Sequence, residues 1–279
     1  MSQRNQIAGG IAHRLRADAD GLRTQFTQPG QVRTFVVDGL LDDDLARRIH
    51  QTFPPVETMM RRHSIREDKY VATQMDRYDP LLEEVVFAFQ QQAVIDVVAT
   101  ITGIDDLLGD PRLYAGGISA MTRGQFLNPH IDNSHREDRD SYRVLNLLYY
   151  ATPAWNDADG GHLQVWDRGM RGPERTLHSR FNRLVVMATS TRSWHGVNEV
   201  TADGPRTCVS NYYFSRRPVT NEGTVVDHDY FHVTTFRGFP GQAAKNAVLV
   251  ADGLARAGVR RLFRHGVTTT TQVYDRNGR

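Results

Sequence analysis

The stretch NPHIDNSH, residues 128–135, sets His130 and Asp132 on either side of one apolar residue, just after a proline. In an extended chain side chains alternate faces, so positions i and i+2 project the same way. An imidazole and a carboxylate placed like this can share one divalent cation, or they can form an ordinary surface pair. A metal site needs a third ligand. His195, in STRSWHGV, follows the apolar run RLVVMATS and offers one. His130, Asp132 and His195 together make two imidazoles and one carboxylate, the facial set that holds non-haem iron(II) while leaving positions open for other ligands. Arg206, eleven residues after His195, begins the strand-like run RTCVSNYYF. A guanidinium there suits the far end of a dicarboxylate, because it binds carboxylate in a bidentate fork.

Further polar residues crowd the same region. The segment NSHREDRDSYR leaves Asp132 with Arg136, Arg139 and Arg143 interleaved among acids. Either the charges neutralise one another on a solvated loop, or an arginine turns inward and clamps an anionic substrate group. Arg143, where the loop re-enters a strand, is the better placed of the candidates, with Arg136 next. His135 reads as a loop residue and Trp155 and Trp166 as core aromatics. His228 and His232 lack the flanking Glu of a zinc-binding helix, so a metal role for them is not expected. IAGGIAH, with no preceding strand and no G-x-G-x-x-G, does not read as a nucleotide loop.

The elements that must position these residues follow from periodicity. Apolar residues at helical spacing (Ile7, Ile11, Leu15, Leu22) predict an N-terminal helix weakened by Gly9 and Gly10. A short strand over Val32–Val37 and a helix capped by Asp42 or Asp43 come next. One long helix is expected over 80–103, between Pro80 and Gly103. From about 112 to 214 the pattern changes to short runs of Val, Leu, Tyr and Thr broken by Gly, Asp, Asn and Pro, as in an antiparallel sandwich or barrel. A closing helix is expected at about 241–263.

Composition bounds the class. The chain has 279 residues, 39% hydrophobic and 24% charged, enough for one large domain with a substantial core. A formal net charge of +2 gives no reason to expect nucleic acid. A single cysteine, Cys208, excludes an internal disulfide framework. No apolar run approaches a membrane span and the N-terminus has no signal-peptide core, so the expectation is a cytoplasmic protein with no membrane partner.

In order and spacing, four pieces of the chain resemble the iron(II)/2-oxoglutarate oxygenases, nearest the prolyl 4-hydroxylase-like branch. They are HID (130–132), LNLLYYATPAWNDADGGHLQVWD (145–167), FNRLVVMATSTRSWHGV (181–197) and RTCVSNYYF (206–214). The resemblance implies a mainly β fold: a double-stranded β-helix (jelly-roll) core at about 112–215, a helical N-terminal part at about 1–105, and a C-terminal extension and helix at about 216–279, all one oxygenase domain. It makes His130, Asp132 and His195 the Fe(II) ligands. Arg206 would bind the far carboxylate of 2-oxoglutarate, and Tyr150 would donate to that same carboxylate. Dioxygen would take a remaining iron position, and turnover would yield succinate and carbon dioxide. The chain departs from the family at Met121, where a tyrosine often stands near the cosubstrate; a thioether cannot donate that hydrogen bond.

The implied reaction is hydroxylation of an unactivated C–H bond, with a small molecule, anionic if the loop arginines clamp it, as the expected substrate. Desaturation or cyclisation on the same scaffold, prolyl-type hydroxylation of a protein or peptide, a metal-dependent cupin enzyme, and a cupin-like binding protein without turnover are the alternatives. Neither oligomeric state nor substrate identity is legible.

Overall fold

The computed structural model describes residues 2–64, 66–114, 116–136, 140–170, 172–218 and 273–276, with isolated positions between 247 and 258. Arg139, His228 and His232, and most of the helix expected at 241–263, lie outside the described residues.

Five α-helices buttress a sheet whose strand pairs are all antiparallel among the described residues. The N-terminal helical pattern resolves into α1 (Gln3–Arg16) and α2 (Ala19–Phe26). Gly9 and Gly10 stay inside α1, and the break falls instead at Ala17–Asp18. Helix α3 (Asp43–Gln51) begins where its cap was expected: the Asp42 carboxylate accepts from the amides of Asp44 and Leu45. Such a cap contributes about 1 kcal/mol. The long helix expected at 80–103 is two, α4 (Pro80–Ala88) and α5 (Gln92–Thr102), bent by 41°. Continuous apolar periodicity concealed the break at Phe89–Gln91. The Phe89 carbonyl, freed there, accepts from the Tyr213 hydroxyl. Pro80 opens α4 at a position that needs no amide donor, and Gly103 closes α5 in the left-handed conformation.

The N-terminal third is not only helical. It supplies β1 (Thr34–Asp38), β2 (Met60–His63) and β3 (Glu67–Ala72) to the sheet. Strands β2 and β3 escape a pattern search because MRRH and EDKYVA carry charge rather than alternating apolar residues. The remaining strands are β4 (Gly117–Met121), β5 (Phe126–His130), β6 (Tyr142–Tyr150) and β7 (Leu163–Val165). They continue with β8 (Arg175–Leu177), β9 (Arg183–Ala188), β10 (His195–Val197) and β11 (Arg206–Ser215). The spatial order β1-β9-β6-β11-β4-β3-β5-β10-β7-β8 curls the sheet into a jelly roll. Strand β2 lies outside this path and pairs with β3.

The larger wall of the roll is apolar on both faces, and alternation sorts its residues. Leu145, Leu147, Tyr149, Leu184, Val186 and Val209 pack against the helices. Tyr150, Val185, Met187 and Cys208 point into the roll with Leu163 and Val165 from the opposite wall. This double burial explains why RLVVMA in β9 is apolar throughout.

Candidate metal centre and anion pocket

Strands β5 and β10 lie side by side with His130 opposite His195. The two rings are 4.2 Å apart between centroids, and Asp132 follows β5 directly. Ligand atoms from His130, Asp132 and His195 all fall within 4.8 Å of one another. The Asp132 carboxylate is 3.5 Å from Nε2 of each histidine.

Both imidazoles are aimed by backbone. His130 Nδ1 is 2.8 Å from the Asn128 carbonyl oxygen, and His195 Nδ1 is 2.8 Å from that of Ser193. A carbonyl only accepts, so each Nδ1 carries the proton and each Nε2 lone pair faces the centre. This is the usual outer-shell arrangement of a metal-binding histidine. Burial lowers the pKa of His195 to about 4, assisted by its neighbour His130, so the ring is neutral at physiological pH. Burial opposes the charge of Asp132, but Arg143 and the two histidines outweigh it and hold the carboxyl well below its usual range. Two imidazole nitrogens and a hard ionised carboxylate fit iron(II).

Arg206, at the start of β11, occupies a second buried spot inside the roll, 5% exposed. Its guanidinium carbon sits 5.3 Å from the centre of the Tyr150 ring. Its Nη2 donates to the Met121 sulfur at 2.8 Å, a weak acceptor, and its buried Nε has no hydrogen-bond partner. No ion pair to Arg206 is found among the described residues. An unneutralised buried cation with a free donor fits an incoming carboxylate. Burial raises the Tyr150 pKa and keeps the phenol protonated, hence able to donate. Gly161 makes room for the guanidinium, since a Cβ there would lie 3.0 Å from Arg206 Cδ.

Residues 116–214 match the family model described as the 2OG-Fe(II) oxygenase superfamily. The match falls on the β core, which is therefore similar to that superfamily. The chain is 36% identical over 84 residues to prolyl 3-hydroxylase OGFOD1 of Xenopus laevis; the match covers 28% of this chain and 16% of that protein. Two solved structures share the fold, each with a TM-score of 0.53. One is a prolyl hydroxylase from Trichoplax adhaerens in complex with a hypoxia inducible factor peptide fragment, 17% identical, covering 73% of this chain and 91% of that one. The other is a Pseudomonas putida prolyl-4-hydroxylase, 18% identical, covering 73% and 99%.

In this jelly-roll fold the loop arginines part company. Arg136 turns away from the triad: its Nη2 donates to the Gly109 carbonyl and its guanidinium lies over Phe214. Arg143 turns inward, 6% exposed, with Nη1 3.0 Å from Asp132 Oδ1 and its guanidinium 4.1 Å above the Tyr212 ring. His135 is buried against Tyr142 rather than solvated. Trp155 and Trp166 are buried, Trp155 beside Met121 and Val200. Sequence reading missed Asn146, whose Nδ2 donates to Asp132 Oδ2 at 2.6 Å. The signal was an amide alone in the apolar strand VLNLLYY.

Proposed function

We propose that this chain is an iron(II)- and 2-oxoglutarate-dependent dioxygenase that hydroxylates an unactivated C–H bond. One observation carries the reading: a three-ligand face shares the roll with a buried guanidinium that has no anionic partner among the described residues. Iron with 2-oxoglutarate and dioxygen supplies the oxidising chemistry, with succinate and carbon dioxide as coproducts. The chain's own residues do the rest. His130 and His195 present fixed Nε2 lone pairs, and Asp132 adds an ionised oxygen. Arg206 binds the far carboxylate of the cosubstrate and Tyr150 donates to it. The apolar residues around Tyr150 (Leu163, Val165, Val185, Met187) keep water from that end.

For the substrate, the 36% identity to a prolyl 3-hydroxylase supports a prolyl residue of a peptide or protein. A small molecule is the second reading, the one expected from sequence. Its anionic form leaned on the loop arginines, and the engagement of Arg136 with Gly109 and of Arg143 with Asp132 weakens that support. Succinate formation should require both iron(II) and 2-oxoglutarate, and should rise with the true substrate, which gains one oxygen atom by mass spectrometry. Stimulation by proline-containing peptides, set against small-metabolite pools, chooses between the substrates. Succinate release that persists without iron would sink the whole reading.

A further inference from the structure

A regular strand puts residues 143 and 146 on opposite faces, yet both reach Asp132. The register explains this: Tyr213 pairs with Leu145 while Phe214 pairs with Arg143, so Val144 is an extra residue, a β-bulge in β6. A bulge shifts the facing of the residues beyond it by one and re-aims a side chain. Here it moves Arg143 from the helix-packed face, shared by Leu145 and Leu147, to the inner face shared by Asn146 and Tyr150. The displaced backbone is held, because the Thr189 hydroxyl donates to the Arg143 carbonyl and the Thr189 amide to that of Val144. The two side chains then take separate oxygens of Asp132: Arg143 Nη1 approaches Oδ1 at 3.0 Å and Asn146 Nδ2 donates to Oδ2 at 2.6 Å.

We infer that Asn146, with Arg143 re-aimed by the Val144 bulge, is a positioning residue that fixes the rotation of the Asp132 carboxylate so that it offers the metal one oxygen rather than both. A carboxylate gripped from one side at both oxygens cannot swing to chelate. One-oxygen binding is what keeps the remaining positions of a facial site open. The inference rests on the metal reading above and adds to it a residue that touches neither metal nor cosubstrate. Asn146 is the cleaner half to test, because it is neutral and its removal leaves local charge unchanged.

The test titrates cobalt(II) alone into the metal-free protein and follows affinity and the visible ligand-field spectrum, with no turnover involved. Asn146→Leu and Asn146→Ser should each bind cobalt(II) about 10–100-fold more weakly, the usual cost of losing such a partner, and with an altered spectrum. The Ser variant serves if Leu does not fold, and the unfolding temperature of the metal-free form separates a fold defect from a site defect. Wild-type affinity and spectrum in a folded Asn146 variant overturn the inference. His195→Ala is the control: if it too binds cobalt(II) normally, the metal reading itself has failed, whereas its loss beside a normal Asn146 variant rejects the positioning role alone.

Discussion

The two ends of the roll's interior are finished to different degrees. At the metal end both imidazole Nδ1 atoms meet a carbonyl and both Asp132 oxygens have a donor. At the anion end Arg206 donates to a thioether, and its buried Nε has no hydrogen-bond partner among the described residues. The difference follows from what each ligand brings. A cation takes lone pairs, which must be aimed, so every other valence of the donating groups is tied down. A carboxylate brings its own acceptors, so the donors awaiting it are better left free. A strong resident acceptor on Arg206 would have to be displaced before any cosubstrate bound.

Breaking the metal end should have the largest effect. His130→Ala, Asp132→Ala and His195→Ala should each abolish iron-dependent turnover and most metal binding, because two ligands hold iron(II) poorly in an open site. Circular dichroism should show the fold retained. Near-normal activity in any two of the three would disprove the triad. Breaking the anion end should look different: Arg206→Ala should raise the 2-oxoglutarate requirement roughly 10–100-fold, consistent with about 1.5–3 kcal/mol for a charged hydrogen bond, while metal affinity stays intact. If 2-oxoglutarate binds the variant as it binds the wild type, the anchor lies elsewhere.

That contrast was only half legible in the sequence. The candidate ligand residues could be picked out by type and order, because His130, Asp132, His195 and Arg206 stand in ordered pieces of the chain at regular spacing. What holds them could not. The carbonyls of Asn128 and Ser193 belong to the backbone, which carries no residue code. The Val144 bulge adds one residue to the strand at a point that no residue type marks. A period-2 reading of β6 therefore places Arg143 with Leu145 on the wrong face. Strand β1 was legible from its apolar run, but β2 and β3 stayed hidden because their register comes from pairing with each other and with β4 and β5, not from their own pattern.

Gly161→Ala would sharpen the comparison by disturbing the anion end without removing any donor. Gly161 has φ +67°, and an added Cβ would press on Arg206 Cδ and Val200 Cγ2 at 3.0 Å. The left-handed backbone alone costs roughly 1–2 kcal/mol for alanine. Gly204→Ala supplies the control, since it has φ +91° with nothing within 4 Å. Both variants should lose a few degrees of unfolding temperature, at about 2–4 °C per kcal/mol. Only Gly161→Ala should also weaken 2-oxoglutarate binding, by a few-fold. Equal 2-oxoglutarate affinity in the two would show that Arg206 needs no cleared space.

The smallest expected effect is a pH dependence confined to the support of the anion end. His162, next to Gly161, is buried; its Nδ1 accepts from the Ser179 amide at 3.1 Å and its Nε2 lies 3.1 Å from the Asp157 carbonyl oxygen. That partnership needs a neutral ring with the proton on Nε2. Burial lowers the His162 pKa from 6.5; the Asp157 carbonyl works against the shift, while His178 and Arg206 add to it by repulsion. Because the folded value lies below the unfolded one, the unfolded chain takes up the proton more readily between them. Stability from this group is therefore complete above about pH 6.5 and falls as the pH drops through the window beneath it. Protonation would also cost the bond from Ser179, whose hydroxyl holds the Gly161 carbonyl at 2.8 Å. Unfolding temperature recorded from pH 7.5 to 5 should decline for the wild type and decline less for His162→Gln, with the metal-free form used throughout. Identical slopes for the two proteins would assign the acid sensitivity to other groups and leave His162 as packing alone.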